Sequence, residues 1–383
     1  MTRIIYTFFL FLIATPTFAS TWKQKTSVNA VGRHRATGIA IGNKGYVGLG
    51  HVNGTGVNVI YKDWWEFDPA INAWTQKADF PALTYAAIAF GNDKFGIVGG
   101  GVGLNSEFFK YNPQNNTWTA VTNCPGTPTD SQAFAIGDKG YVYQGLAFWE
   151  YDINTDVWTT KASPPISFGS WASSFAIGSS GYVKFSSNFY EYKPAQNTWV
   201  QRASFPGQMS NGGAGFSVHG KGYMVCGYVG SLANVTDEVW EYQPGNNTWS
   251  LSNEFKGTSR RFPVAFNIGD IGYFGLGTNG INFNDLWEYS YDPLSIDEFI
   301  KKTEIYTYPN PVVHDLNINI KGDIGDYEPK IQLFDFTGRK VYEATWTSNA
   351  HSINMDDQLP GTYLLQIWLT KSHKWYESKL IKL

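Results

Sequence analysis

The sequence predicts an all-β protein in which a six-bladed β-propeller is followed by a small Ig-like β-sandwich. Three observations predict this fold. An aromatic strand recurs six times, a glycine-containing hairpin precedes every copy, and the repeats stop after Pro293, where shorter alternating segments begin. A period of about 40 to 50 residues with four short strands is typical of a propeller blade, because one four-stranded sheet must stack on its neighbours to bury both faces.

The aromatic strand is followed by a polar turn and a second strand that ends in tryptophan. In the first copy, Trp64-Trp65-Glu66-Phe67-Asp68 leads through a Pro- and Asn-containing turn to Trp74. Such turns set two strands antiparallel. The tryptophans and tyrosines are expected to fill the gaps between blades. The other copies span residues 108–118, 149–158, 189–199 and 240–249, and a sixth at 286–289 has no closing tryptophan.

The glycine hairpin supplies the first two strands of each blade. In the first repeat an alternating apolar run ends at Ile41, Gly42 and Asn43 form a turn that favours positive φ, and Tyr46 begins the next strand. Together with the aromatic strand this hairpin gives four strands per repeat. Equivalent hairpins lie at residues 90–96, 136–141, 177–182, 218–223 and 268–273.

These repeats resemble the kelch family over residues 22–293. The spacing of glycines, aromatic strand and closing tryptophan carries the resemblance, although the double glycine after the second strand is complete only at Gly99-Gly100. The resemblance implies a propeller of six blades. The segment Trp22-Lys23-Gln24-Lys25 is similar to the strands that end other blades, so strand 21–26 is expected to close the last blade of a propeller spanning 20–293.

The N-terminus has the features of a signal peptide at residues 1–19. Arg3 precedes an apolar run from Ile4 to Ile13, and Ala19 ends a cleavage site of small residues. Export is therefore expected, and no later segment is long enough to be transmembrane. A net charge of −3 and a pI of about 6.1 give no basis for nucleic-acid binding. The six histidines show no zinc-like spacing, so neither a metal nor another cofactor is expected.

Uneven loops predict a ligand funnel on one face. The loops between second and third strands are long in blades one, five and six, less long in blade two, and short in blades three and four. Arg33 and Arg260 occupy equivalent positions before the first strands of blades one and six, with His34, Arg35 and Arg261 beside them. Four guanidinium groups could grip a carboxylate or sulfate. Two aromatic residues in corresponding loops could stack on a sugar ring, Tyr85 and Trp171.

The sequence favours an exported module that binds a glycan or a protein, and two alternatives stay open. If the arginines pair with Glu66 and Glu288 instead, a structural or adhesive role fits better. Another exported six-bladed kelch family, the N-acetylneuraminate epimerases, acts on an acidic sugar without metal. An enzyme of that kind would need a general acid or base, for which the loop positions offer Glu107, Asp130 or Glu238.

After a linker at 294–304, residues 305–383 no longer repeat and alternate apolar and polar side chains as in a sandwich. Three features stand in order: Tyr308-Pro309-Asn310-Pro311, the hairpin from Asp335 to Arg339, and the end Lys379-Leu380-Ile381-Lys382. They resemble the C-terminal sorting domain of the type IX secretion system of Bacteroidetes. The resemblance implies passage across the outer membrane, removal of this domain, and release or attachment to surface lipopolysaccharide, with the secretion machinery as partner.

Overall fold

The computed structural model describes residues 19–252, 254–292, 304–321, 329–345, 350–369 and 374–383. Within them the chain forms strands and turns and no helix. The predicted signal peptide (except Ala19) and the predicted linker (except Glu304) lie outside the described residues. One compact unit comprises Ser20–Tyr291, and the described residues that follow it belong to a second.

The first unit contains six four-stranded antiparallel sheets within its described residues. With the sandwich of the second unit, they confirm the predicted all-β class. From the inner strand outwards, blade one is β2 (Thr37–Ile41), β3 (Lys44–Gly48), β6 (Trp64–Asp68) and β7 (Ala73–Lys77), and blade two is β8 (Ile88–Gly91), β9 (Gly96–Gly99), β10 (Phe108–Asn112) and β11 (Thr117–Val121). Blade three is β12 (Phe134–Ile136), β13 (Lys139–Gln144), β14 (Ala147–Asp152) and β15 (Val157–Thr160), and blade four is β16 (Ser173–Ile177), β17 (Ser180–Phe185), β18 (Asn188–Lys193) and β19 (Thr198–Gln201). Blade five is β20 (Ala214–Val218), β21 (Lys221–Val225), β24 (Val239–Gln243) and β25 (Thr248–Leu251), and blade six is β26 (Val264–Ile268), β27 (Ile271–Gly275), β28 (Leu286–Asp292) and β1 (Ala19–Lys25).

The inner strands surround a central channel. Each contacts the inner strand of the next blade, and β26 contacts β2, so the ring is closed. The N-terminal strand β1 is the outer strand of the sixth blade, beside β28. Blades one and five carry an additional hairpin between their second and third strands, formed by β4 (His51–Gly54) with β5 (Val57–Ile60) and by β22 (Tyr228–Val229) with β23 (Ser231–Val235).

Neighbouring blades meet where an aromatic ring covers a glycine. Phe134 of β12 lies on Gly181 of β17, and a Cβ atom built on that glycine would be 2.0 Å from the ring. Glycine is therefore the residue that allows the blades to approach this closely. The same contact recurs at four other junctions, between Gly45 and Phe266, Gly140 and Phe90, Gly222 and Phe175, and Gly272 and Phe216.

A second contact joins the outer strands of adjacent blades. Asn116 Oδ1 accepts the backbone N–H of Ala78 at 2.8 Å, and Trp118 Nε1 donates to the carbonyl oxygen of Ala78 at 3.0 Å. The closing tryptophan of a blade thus holds the end of the preceding blade as well as packing in the core. Equivalent pairs are Asn72 and Trp74 on Thr26, Asp156 and Trp158 on Thr122, Asn197 and Trp199 on Ala162, and Asn247 and Trp249 on Ala203.

The second unit is a small β-sandwich. Its three-stranded sheet contains β29 (Glu304–Tyr308), β30 (Asp315–Lys321) and β33 (Ala350–Asn354), and its four-stranded sheet is ordered β32 (Lys340–Thr345), β31 (Lys330–Asp335), β34 (Gly361–Leu369) and β35 (Lys374–Lys382). Apolar side chains from the two sheets share one buried core, among them Leu316, Ile318, Leu333 and Leu365. Alternation along each strand places these residues on the inner face.

Candidate functional site

Six residues, one from each blade, form a closed backbone ring at one end of the channel. Each has a positive φ, between 49° and 71°. Its N–H donates to the carbonyl oxygen of the equivalent residue in the preceding blade, from Ala86 N–H on Arg35 round to Arg35 N–H on Phe262. The left-handed conformation lets each residue turn its amide along the ring. We call these residues the mouth ring: Arg35, Ala86, Asp130, Trp171, Gly212 and Phe262.

The mouth ring surrounds a depression that is open to solvent. Below it the channel continues between the inner strands, where small and polar side chains such as Ser131, Gln132 and Ser174 line it. Blades two and five contribute only Ala86 and Gly212 to the ring, so the ring side chains in those two sectors are small. The larger side chains belong to blades one, three, four and six.

Arg35 and Asp130 form an ion pair across the ring. Arg35 Nε lies 3.4 Å from Asp130 Oδ1, and both side chains are largely buried. The guanidinium group also faces the rings of Trp171 and Phe262, at 5.4 and 4.9 Å from their centroids. Arg35 Nε and Asp130 Oδ1 are buried and meet only in this long ion pair, and buried Trp171 Nε1 has no hydrogen-bond partner among the described residues. Buried polar atoms are normally satisfied, so these three mark a place where a polar ligand could bind.

Two histidines lie beside the ring. The imidazole of His51 stacks on the phenol ring of Tyr85, with centroids 3.9 Å apart. It packs edge-to-face on the imidazole of His34, with centroids 4.4 Å apart. Nε2 of His34 lies 3.0 Å from Asn53 Oδ1, and Nδ1 of His51 lies 3.2 Å from Asn58 Oδ1. An amide oxygen only accepts, so these nitrogens carry the protons. The other nitrogens, His34 Nδ1 and His51 Nε2, are buried acceptors without a partner in the described part of the chain.

The charge around the mouth ring is positive by one unit among its described groups. Arg35 and Arg261 are cationic, and burial followed by the charge of Arg35 lowers the pKa of Arg261. Burial also lowers the pKa of both histidines, that of His34 to about 4, so they are neutral at pH 7. Asp130 supplies one negative charge. Nε of Arg261 is another buried donor without a partner within the described residues.

A wall stands beside the ring on four of the six blades. After the second strands of blades one, two, five and six, two consecutive residues have positive φ: Leu49 and Gly50, Gly100 and Gly101, Cys226 and Gly227, Leu276 and Gly277. The chain that follows forms a bridge to the segment preceding the first strand: His34 with His51, Tyr85 with Val102, Asn211 with Tyr228, and Arg261 with Thr278. In blades three and four Gly145-Leu146 and Ser186-Ser187 turn directly into the third strand.

Arg33 and Arg260 are not at the ring, which corrects the prediction of four arginines in one funnel. Their side chains are 2% and 0% exposed and lie inside blades one and six. Each guanidinium binds a carboxylate through two nitrogens, Asp63 for Arg33 and Asp285 for Arg260. Each arginine stands two positions before the ring residue of its blade, and there the side chain enters the blade and not the channel.

The glutamates considered as partners for these arginines have other contacts. Glu66 accepts from Tyr46 and pairs with Lys77, and Glu288 pairs with Lys25. Of the three acids considered for catalysis, Asp130 alone belongs to the mouth ring. Glu238 accepts from the indole of Trp240 at 2.9 Å, which is the role that Asp63 and Asp285 have for Trp65 and Trp287.

The structure brings together His34, Arg35, Tyr85, Trp171 and Arg261 from the predicted set, and it adds Phe262, His51 and, as a ring residue, Asp130. A count along the repeats could have found the ring. Five of its members stand six residues before the apolar residue that precedes the first turn of their blade. Aligning the repeats at that position, and not at the arginines two places earlier, gives the ring sequence.

The stability of the propeller is expected to fall as the pH is lowered from about 6.5 towards 4. Because the folded-state pKa of His34 is depressed, the unfolded chain takes up a proton first, and the folded state retains its full stability only above that range. His34 accounts for a loss of about 2 kcal/mol between pH 7.5 and 5. Urea unfolding at the two pH values checks this, and a decline of equal size in His34→Gln would assign the effect to other groups.

Comparison with known proteins identifies the second unit and supports the fold of the first. Residues 306–382 match a family model described as a secretion system C-terminal sorting domain. A comparison with curated proteins gave no match. The solved structure of YjhT is similar with a TM-score of 0.57 and 18% sequence identity, over 67% of this chain and 94% of that chain. At this identity the likeness concerns the fold alone, and it supports the propeller.

The sorting-domain match determines where the protein goes. The chain is exported through the type IX secretion system, to the cell surface or out of the cell, and the secretion machinery is a partner through residues 306–382. The described residues include no helix that could span a membrane. No group of three or more His, Cys, Asp and Glu side chains in this part of the chain is arranged to hold a metal ion.

Proposed function

We propose that the first unit is a kelch-type propeller that binds a glycan carrying one negative charge at the mouth ring. The observation that carries the proposal is the set of buried polar atoms around the mouth ring that have no hydrogen-bond partner among the described residues. Arg35, Arg261 and Trp171 supply donors, whereas His34, His51 and Asp130 supply acceptors. A hydroxyl group is both donor and acceptor, so a sugar with several hydroxyls could satisfy both kinds of atom.

The charge of the site favours an acidic sugar. Arg35 and Arg261 are close enough for one to lower the pKa of the other, and Asp130 balances only one of them. A ligand carboxylate beside the two guanidinium groups would neutralise the excess charge and accept hydrogen bonds from both. A neutral sugar would leave this excess positive charge uncompensated.

The shape of the site favours a small unit over a folded protein partner. The depression is concave, Trp171 and Phe262 line it, and the ring of Trp171 contacts those of Phe262 and Tyr228. Aromatic faces next to a few oriented polar groups are typical of small-ligand sites. Protein interfaces of ordinary size need about 800 Å² on each partner, which the ring by itself does not offer.

Binding of acidic monosaccharides is expected to depend on Arg35. Galacturonic acid and N-acetylneuraminic acid should bind to the purified protein in calorimetric titrations, and galactose should bind less well. Replacing Arg35 by alanine removes a charged hydrogen-bond donor and should weaken binding about 10- to 100-fold. Alanine fits the backbone at this position, because Ala86 occupies the equivalent place in the ring with the same conformation.

The matched control is Arg339→Ala, which removes an exposed arginine paired with Asp335 in the sorting domain. It should bind the sugars as the parent protein does. Equal affinities for Arg35→Ala and the parent would refute the site. Binding of no sugar, with capture of a folded protein instead, would favour the protein-ligand alternative.

One observation favours an enzyme as the second candidate. Asp130 lines the depression and two neutral histidines lie beside the mouth ring, and such groups can take and return a proton. This arrangement is compatible with metal-independent chemistry on an acidic sugar, as in the N-acetylneuraminate epimerases. Asp130→Asn should then abolish interconversion of sugar anomers, followed by NMR, while leaving binding within about tenfold. If the parent protein does not accelerate the interconversion, the binding role stands alone.

A further inference from the structure

We infer that the mouth ring takes the end of a glycan chain, and that the rest of the chain leaves across blades three and four. The inference rests on the proposed function and adds the way in which a polymer would bind. Three features of the described residues carry it: the width of the ring, the wall on one side of it, and the low rim on the other.

The ring is too narrow for a glycan to thread. Hydrogen-bonded backbones lie about 4.8 Å apart, so opposite sides of a ring of six are about 10 Å apart between backbone centres. The side chains of Arg35, Asp130 and Phe262 line the depression inside this ring and reduce the free width further. A polymer that reaches the ring must therefore end there or lie across the mouth.

The wall prevents a polymer from lying across the mouth. It occurs on four consecutive blades, five, six, one and two, each of which has the double positive-φ turn and the bridge that follows it. In blade one the hairpin β4–β5 stands behind the histidines, with Asn53 and Asn58 bonded to them. In blade five Tyr228, at the base of β22, contacts Trp171. A chain lying across the ring would have to cross this wall on one side.

Blades three and four leave the opposite side open. Their turns are Gly145-Leu146 and Ser186-Ser187, without any inserted segment. Gly145 forms a bridge with Phe168, three residues before Trp171, so the low rim adjoins the segment that carries a ring residue. Leu146 is 54% exposed there. A terminal sugar beside Arg35 and Trp171 could thus continue outward over this rim.

Chain-end binding predicts a fixed number of bound proteins per glycan chain, which can be measured. Galacturonic acid and N-acetylneuraminic acid are compared, by calorimetry, with their trimers and with long homopolymers of known chain length. The inference expects one bound protein per chain at every length, whereas binding to internal units would raise the number of proteins per chain with length. An increase with length overturns the inference and leaves the proposed function in place.

The exit path is tested by raising the low rim. Leu146→Trp and Ser187→Trp, both at exposed positions, should weaken binding of the trimers at least about tenfold and leave the monosaccharides unchanged. Leu83→Trp, at an exposed position of blade two, which carries the wall, should change neither the binding of the trimers nor that of the monosaccharides. Unchanged trimer binding in both rim variants refutes the path. Absence of monosaccharide binding in the parent protein refutes the proposed function and the inference with it.

Discussion

Replacing Arg260 by alanine is expected to destabilise the propeller by about 3–5 kcal/mol, which is the usual effect of leaving one partner of a buried ion pair alone. The guanidinium donates to the carbonyl oxygens of Thr258 and Leu276 and to both oxygens of Asp285, and it stacks on Phe283 at 4.1 Å. All of these acceptors would lose the guanidinium donor, and Asp285 would keep the indole N–H of Trp287 but no cation. The measurement is the free energy of unfolding in urea.

Two further variants separate the charge from the packing. Asp285→Ala should be strongly destabilising as well, and the double variant should cost less than the sum of the two, because no unpaired charge remains. The folded fraction of Arg260→Ala should bind acidic sugars with the affinity of the parent protein, since Arg260 lies inside its blade. A loss of binding at unchanged stability would instead place Arg260 in the ligand site.

Replacing Gly181 by alanine is expected to destabilise the propeller by about 1–3 kcal/mol through overpacking. The added methyl group would lie 2.0 Å from Cε2 and 2.1 Å from Cζ of Phe134, in the interior between blades three and four. The phenyl ring of Phe134 is buried between Tyr141 and Phe148 and has little room to move away. Thermal and urea unfolding report the change.

Gly245→Ala is the matched control. Gly245 lies in the turn between β24 and β25 and has no positive φ, and an added methyl group would meet no heavy atom within 4 Å, so alanine should be neutral there. An equal loss of stability in the two variants would mean that glycine matters for backbone freedom in general. A neutral Gly181→Ala would show that the blades can separate enough to admit a methyl group.

The fold could be predicted because the sequence of each repeat contains the local signals for its own strands and turns. The alternation around Ile41, the turn at Gly42 and the aromatic strand at Trp64 are each short-range features, and six copies of them specify six sheets. The sorting domain was equally accessible, because a match over residues 306–382 follows from the order of features along the chain. Local propensity and repetition are sufficient for both.

The site depends on where side chains point in the folded protein, which short-range sequence patterns do not determine. Arg33 and Arg35 are two residues apart, yet one is inside the blade with Asp63 and the other crosses the ring to Asp130. Within the ring only Gly212 is a glycine, so the left-handed backbone that forms it leaves little mark on the sequence. The partner of Arg35 comes from two blades further along, which no local spacing indicates.

By itself, then, the sequence determined the number of blades, the four strands of each blade and the sorting domain, and it pointed to several residues that lie near the mouth ring. Only the tertiary structure decided which arginines are buried in ion pairs and which face the channel. The physical reason is that a repeat encodes the path of its own backbone, whereas the mouth ring is made by hydrogen bonds between six repeats, and its chemistry comes from side chains that meet only when the ring closes.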